Sequence, residues 1–291
     1  MSTVLLLLIT GLGLGALYFL VASGLSLIYG LMGVLNFAHG VFLTLAAFLG
    51  WEAGRRFSDG TWLGLGVSAL VGIVVGALIA AATELLLIRR LYERHIEQAL
   101  VTVGLSLAGV ALFEGIWGTD PIYIHKPEWL SQTTTLLGAK IPNDRFLLIL
   151  CAAVVLAAIV LFLRRTRYGL IIRAGVENRA MVTALGIDVR RSFTLVFAIG
   201  GAAAGLGGVL ASVYYGYVSA HLGSVLLIFA FIVTVIGGLG SLTGAAVASV
   251  LVAVLQQFAN FYLGGTGDLV VVIALAGVLL VRPRGLMGRK A

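Results

Sequence analysis

Apolar residues run through this chain in long blocks, and polar positions fall between the blocks instead of alternating within them. From Val4 to Trp51, 48 residues pass without an Asp, Glu, Lys or Arg. A helix needs about 20 apolar residues to cross the hydrocarbon core of a bilayer. Blocks of about that size predict nine candidate crossings, at 4–28, 31–51, 62–88, 99–118, 146–163, 192–217, 224–239, 242–263 and 264–281. Glycine interrupts the pattern at Gly30-Leu-Met-Gly33 and at Gly237-Gly-Leu-Gly-Ser-Leu-Thr-Gly244. Every backbone polar group in hydrocarbon needs a partner, so glycine-broken helix is tolerated only inside protein packing or beside a wet cavity. Either place is therefore a candidate for a broken or re-entrant helix in place of a clean pair of crossings, which gives eight or nine full crossings.

Composition turns this pattern into a fold class. Hydrophobic residues make up 60% of the 291 and charged residues 11%, with a mean hydropathy of +1.11, against about 25% charged in an ordinary soluble domain. The expectation is an all-α, multi-pass membrane protein forming one transmembrane domain over 1–291. The N-terminus has no basic segment and no small-residue cleavage site before Ala22, which predicts a retained span and not a signal peptide. Cys151 is the single cysteine, so no intrachain disulfide is possible.

The net charge of +7 is clustered. Arg164, Arg165, Arg167, Arg173, Arg179, Arg190 and Arg191 crowd the connection 164–191, and Arg282, Arg284, Arg289 and Lys290 the tail. Arg89, Arg90 and Arg94 form a third group. The positive-inside rule places all three in the cytoplasm. The connection 119–145, with Lys126, Lys140 and Arg145 thinly spread, falls on the periplasmic side. The charge thus reads as membrane topology and not as affinity for nucleic acid.

Candidate chemistry is sparse. Asn36 and His39 stand three residues apart beside Gly33 and Gly40, on neighbouring faces if the piece is helical. Polar groups with flexible backbone suit a substrate path; equally, Asn36 and His39 can simply bond across helices while the glycines permit close contact. Thr102 and Ser106, four apart, form a mildly polar stripe with the same two readings. Glu114 is an acid deep in the fourth block, and at least one of Gln256, Gln257 and Asn260 is expected to face other helices. Trp51, Trp62, Trp117 and Tyr262 near block ends read as interfacial anchors. The four histidines, at 39, 95, 125 and 221, have no metal-ligand spacing, and no Gly-rich loop ends in Gly-Lys-Ser/Thr. The expectation is a chain that is not an enzyme and holds no cofactor or metal.

Residues 24–51, GLSLIYGLMGVLNFAHGVFLTLAAFLGW, resemble the N-terminal signature of bacterial ABC-transporter permeases for branched-chain amino acids, with its Tyr-Gly followed by Asn-Phe-Ala-His-Gly. Further similar blocks follow in order: 173–188, 197–208, Gly237 to Gly244 and the terminal Arg282-Pro-Arg-Gly-Leu286. The resemblance implies a pore-forming subunit in the bacterial inner membrane. Its partners would be a second permease, either a paralogue or a copy of itself, two cytoplasmic ATPases that hold ATP and Mg, and a periplasmic substrate-binding protein. It also implies that a helix in the 164–191 loop docks into the ATPase. Glu177 and Asn178 suit the start of such a helix and Gly186 its end. Ala180 and Ala184, beside Arg179, Met181 and Leu185, give a face that a partner can approach closely. Without the resemblance, a solvated, topology-setting loop explains the same residues. The implied cargo is a small hydrophobic amino acid, branched-chain first, although relatives also move urea, short amides and other carboxylates. The alternative is a self-contained secondary transporter or channel; it would need an intramembrane acid with a partner, for which Glu114 is the candidate.

Overall fold

Each of the nine apolar blocks folds as a helix in the computed structural model, which describes residues 2–33, 36–92, 94–177, 179–186 and 189–288. In chain order these are α1 (Ser2–Met32), α2 (His39–Ser58), α3 (Trp62–Leu86), α4 (His95–Trp117), α6 (Asp144–Arg165), α9 (Val189–Tyr215), α10 (Leu222–Gly237), α11 (Leu242–Tyr262) and α12 (Gly267–Val281). Among the described residues, six of them (α1, α3, α4, α6, α9 and α11) are long and apolar enough to cross a membrane, whereas α10 and α12 are shorter. This is an all-α polytopic membrane protein.

The helix α1 runs through the centre. Leu17, Leu20, Val21, Ala22 and Leu25 are fully buried, packed among α6, α9, α10 and α11. A second seam joins α3 to α9. The buried residues of α3 recur every fourth position, at Gly64, Ser68, Gly72, Gly76 and Ala80, so one narrow stripe of small residues faces inward. A Cβ on Gly76 would run into the carbonyl oxygen of Gly201, and one on Gly205 into that of Gly72. Small-residue stripes let membrane helices approach until backbone meets backbone, where dispersion and weak polar contacts replace the absent hydrophobic drive. By contrast α4 buries only Gln98, Thr102, Gly109 and Phe113, and its long apolar flank is left for lipid or another subunit.

The charged stretch 164–191 is not a plain connection. It folds into α7 (Arg167–Glu177), the short α8 (Arg179–Ala184) and the first turn of α9. Thr166 starts α7, its Oγ1 accepting from the Gly169 N–H at 3.0 Å. Ile172 is buried while Leu170 and Tyr168 are exposed, so α7 has an inner face despite its charge. On the opposite end of the bundle, the connection 119–145 carries β1 (Ile122–Tyr123), the one-turn α5 (Glu128–Ser131) and a hairpin of β2 (Thr133–Leu136) and β3 (Ala139–Pro142). Its strand β1 pairs antiparallel with β4 (Tyr217–Val218), which follows α9.

Candidate translocation site

Both glycine interruptions lie at the arginine-rich end of the bundle, and there they touch. Gly33 ends α1 with φ +69°, its N–H donating to the Tyr29 carbonyl at 2.7 Å. A left-handed turn of this kind suits glycine because no Cβ strikes the following carbonyl. Past the end of α10 come Gly238 at φ +102° and Gly240 at φ +80°. Ser241 then caps α11, its Oγ accepting from the Gly244 N–H at 3.1 Å. A Cβ on Gly240 would stand 2.7 Å from the Cα of Gly30, so the two breaks meet through bare backbone. The C-terminal segment closes over them: Leu286 N–H donates to the Ile236 carbonyl at 2.7 Å and Met287 N–H to that of Gly237 at 3.0 Å.

The joined breaks form one wall of a cavity of about 850 Å³. Gly30, Gly33, Gly240, Ser241 and Thr243 belong to this wall, while Arg164 of α6 and Arg173 of α7 bring guanidinium groups. Leu27, Leu163 and Ile172 add apolar surface. The volume is that of a small-molecule site, about 300–1,000 Å³. Cationic, hydroxyl and aliphatic groups together suit a solute with a carboxylate and an apolar side chain.

Of the six residues expected along a path, Gly33 lines this cavity and the other five do not. Asn36 is 2% exposed and sits in the turn before α2, where its Oδ1 accepts from the Ala38 N–H at 3.0 Å. His39 is the first residue of α2 and fully buried, with Nε2 3.0 Å from the Val21 carbonyl of α1. A carbonyl only accepts, so that nitrogen is the donor. Asn36 thus precedes α2 and His39 begins it, so the neighbouring-face reading, which needed both on one helical piece, does not apply. Gly40 lets α2 meet α10: Thr44 Oγ1 donates to the Gly40 carbonyl at 3.0 Å and accepts from the Gly223 N–H at 2.9 Å. Thr102, also fully buried, accepts from the Phe37 N–H at 3.3 Å, and Ser106 is half-buried one turn further along α4. Asn36, His39 and Thr102 thus hold the backbone around residues 36–39 from behind.

In the 164–191 segment, the expected helix from Glu177 to Gly186 falls on the last residue of α7 and on α8, either side of a residue that is not described. Glu177 closes α7, Arg179 and Ala180 open α8, and Asn178 lies outside the described residues. Gly186 takes φ +76° just past α8, as a helix terminator does. Val182 is buried, but Met181 is 63% and Leu185 70% exposed, with Ala184 exposed between them. This is an apolar knob on a charged segment.

The expectation that at least one of Gln256, Gln257 and Asn260 faces other helices is met, and further polar groups take roles that spacing did not indicate. Gln256 is buried, its Oε1 accepting from the Tyr18 hydroxyl at 2.8 Å and its Nε2 donating to Asp268 at 2.6 Å. Asn260 Oδ1 accepts from the Gly267 N–H at 2.8 Å. Glu114 lies 2.9 Å from His221, at the end of the bundle away from the arginines. Trp117, at the end of α4, stacks on Phe48 at 4.4 Å. Glu84, read only as part of the third block, is fully buried near the end of α3. Its closeness to Arg89 and Arg90 in sequence gave the one available signal of an ion pair.

Comparison with known proteins covers nearly the whole chain. The family model described as "Branched-chain amino acid transport system / permease component" matches residues 7–281. The chain is 28% identical over 288 residues to the high-affinity branched-chain amino acid transport system permease protein LivH of Salmonella typhimurium, covering 96% of this chain and 94% of that one. It is 28% identical over 291 residues to the corresponding permease BraD of Pseudomonas aeruginosa, covering 97% and 95% of the two chains. With a probable LivH of Methanocaldococcus jannaschii the identity is 27% over 283 residues, covering 92% and 88%. No solved structure matches.

Proposed function

Because the chain belongs to the branched-chain amino acid transport permease family, we propose that it forms half of an ATP-driven import pore for small hydrophobic amino acids in a bacterial inner membrane. The permease function itself follows from family membership; cargo, drive and assembly are the proposal. One observation carries it: two glycine breaks meet at the arginine-rich end and line a cavity of about 850 Å³ whose surface is part cationic and part aliphatic. In this reading the arginine-rich end faces the cytosol, as the positive-inside rule requires, and the cavity is the inner mouth of the path. Gly33 belongs to the wall, while Asn36, His39 and Thr102 hold the turn before α2, Gly40 seats α2 against α10, and Ser106 stands one turn beyond Thr102 on α4. A second permease completes the pore, a periplasmic binding protein delivers cargo, and two ATPases holding ATP and Mg supply energy through α8, whose exposed Met181, Ala184 and Leu185 dock on them. ATP-driven closure of the ATPases then rocks the bundle between outward and inward openings.

The purified permease, its partner permease, the ATPases and the binding protein, reconstituted in vesicles, provide the test. ATP-dependent accumulation of labelled leucine, isoleucine or valine is the expected result, with none from the permease chain alone. Flux driven by an ion gradient through the chain alone would favour a secondary transporter instead. Glu114 has a partner in His221, as that alternative asks of an intramembrane acid, but the pair stands at the end of the bundle away from the cavity, and the family match favours the importer.

A further inference from the structure

Glu84 is buried where an isolated carboxylate is very costly, and nothing in the proposed path uses it. Two hydrogen-bond donors and one cation, from two segments, converge on it. Thr194 Oγ1 of α9 donates to Oε2 at 2.6 Å, the Tyr92 hydroxyl donates to Oε1, and Arg89 Nε lies 3.7 Å from Oε1. Arg89 belongs to the 3-10 turn Ile88–Leu91 that follows α3, and Tyr92 comes directly after it. Burial, then the hydrogen bond to Glu84, push the Tyr92 phenol well above its ordinary range, so it stays a neutral donor. Its ring also meets Phe193 edge-on at 5.0 Å, and Phe193 is 1% exposed. Consecutive residues of α9, Phe193 and Thr194, are thus gripped by one Tyr92–Glu84 unit at the arginine-rich end of α3.

Two further features give this grip a mechanical meaning. Deeper in the membrane α3 and α9 are already joined, through Gly76 against Gly201 and Gly72 against Gly205; no long side chain stands between them to absorb sliding. At its other end α9 begins at Val189, five residues past Ala184, the end of α8 with its exposed apolar knob. α8 packs against both α7 and α9, so one route for a displacement of α8 into the bundle runs through the start of α9, where Glu84 binds.

We propose that Glu84 is the positioning residue for coupling: its carboxylate clamps the cytosolic ends of α3 and α9 into one rigid lever, so that motion of α7 and α8 moves both helices instead of being lost at the start of α9. This rests on the docking role given above to α8. It makes Glu84 neither a path residue nor an ion site, but a hydrogen-bonded joint.

The test uses the complete complex in vesicles, with ATP hydrolysis and amino acid uptake measured in the same preparation. In Glu84→Ala, assembly and hydrolysis persist while uptake per ATP falls about tenfold, within the roughly 5–150-fold range of ordinary coupling energies. Glu84→Gln, which keeps one acceptor oxygen, recovers part of that loss; a residue needed only for folding would lose hydrolysis and assembly together with uptake. If Glu84→Ala fails to assemble, Thr194→Val removes a single donor at nearly constant shape, and lowered uptake per ATP there supports the clamp. Unchanged uptake per ATP in assembled Glu84→Ala, or in Thr194→Val where that variant stands in, overturns it. Ala184→Arg, run in parallel, separates the two ideas. If Ala184→Arg uncouples and the Glu84 and Thr194 variants do not, the clamp alone falls; if Ala184→Arg leaves coupling intact, it is the docking role that falls.

Discussion

A histidine sealed inside a membrane protein must give its ring N–H to some acceptor, and His39 gives it to the Val21 carbonyl of α1 at 3.0 Å. Such bonds contribute on average only about 0.6 kcal/mol inside a membrane, because the alternative states also find partners. His39→Ala and Asn36→Ala should therefore leave a folded, assembled permease. What they loosen is the turn that leads into α2 and its anchoring to α1, so uptake falls while the affinity of the binding protein for its amino acid is unchanged. Uptake assays beside binding-protein titration check this, and normal uptake by both variants would remove these residues from the mechanism. The sequence made this cluster visible through glycine, Asn and His in an uncharged run. It did not reveal which way the side chains turn, because Asn36 precedes α2 while His39 begins it, and a spacing of three has its helical meaning only within one helix.

Among the elements, α8 carries the sharpest expectation. Its exposed Met181, Ala184 and Leu185 form an apolar surface that water does not favour and a partner can cover. Placing a guanidinium there, in Ala184→Arg, costs a solvent-exposed helix little by itself but puts bulk and charge into a close contact. Weakened ATPase co-purification, or hydrolysis that no longer drives uptake, is the expected outcome, measured by pull-down and by uptake per ATP; a fully active, assembled complex would contradict docking. The segment's helical nature was only half legible. Its charges identify it as the most polar part of the chain, yet α7 forms because Ile172 is buried against the bundle, a contact that charge counting cannot register. The α3–α9 seam was similarly hidden: small residues at every fourth position of α3 look like ordinary membrane composition until a glycine-rich helix lies against them.

For the whole molecule, the prediction concerns access. With Cys151 replaced by serine, Ser241→Cys leaves a single thiol on the cavity wall. A membrane-impermeant thiol reagent supplied from the cytosolic side should label it in the nucleotide-free complex, and trapping the ATPases with ATP should slow labelling by about tenfold, the size of a modest population shift. Labelling only from the opposite side would contradict an inner mouth at this place.

What the chain's one-dimensional pattern settled was the nine long apolar helices, the end of the bundle that carries the positive charge, and the two points where backbone regularity breaks. It could do so because a bilayer imposes the same demands on every segment separately: enough apolar length, every backbone amide bonded within its own helix, arginines kept to one side. Only the folded arrangement decided which polar groups meet an opening and which are sealed. Gly30 finds Gly240, His39 finds Val21, and Glu84 finds Thr194 across 110 positions of sequence. Contacts of that kind depend on how helices pack against each other, where small residues permit many pairings and only the final assembly selects one.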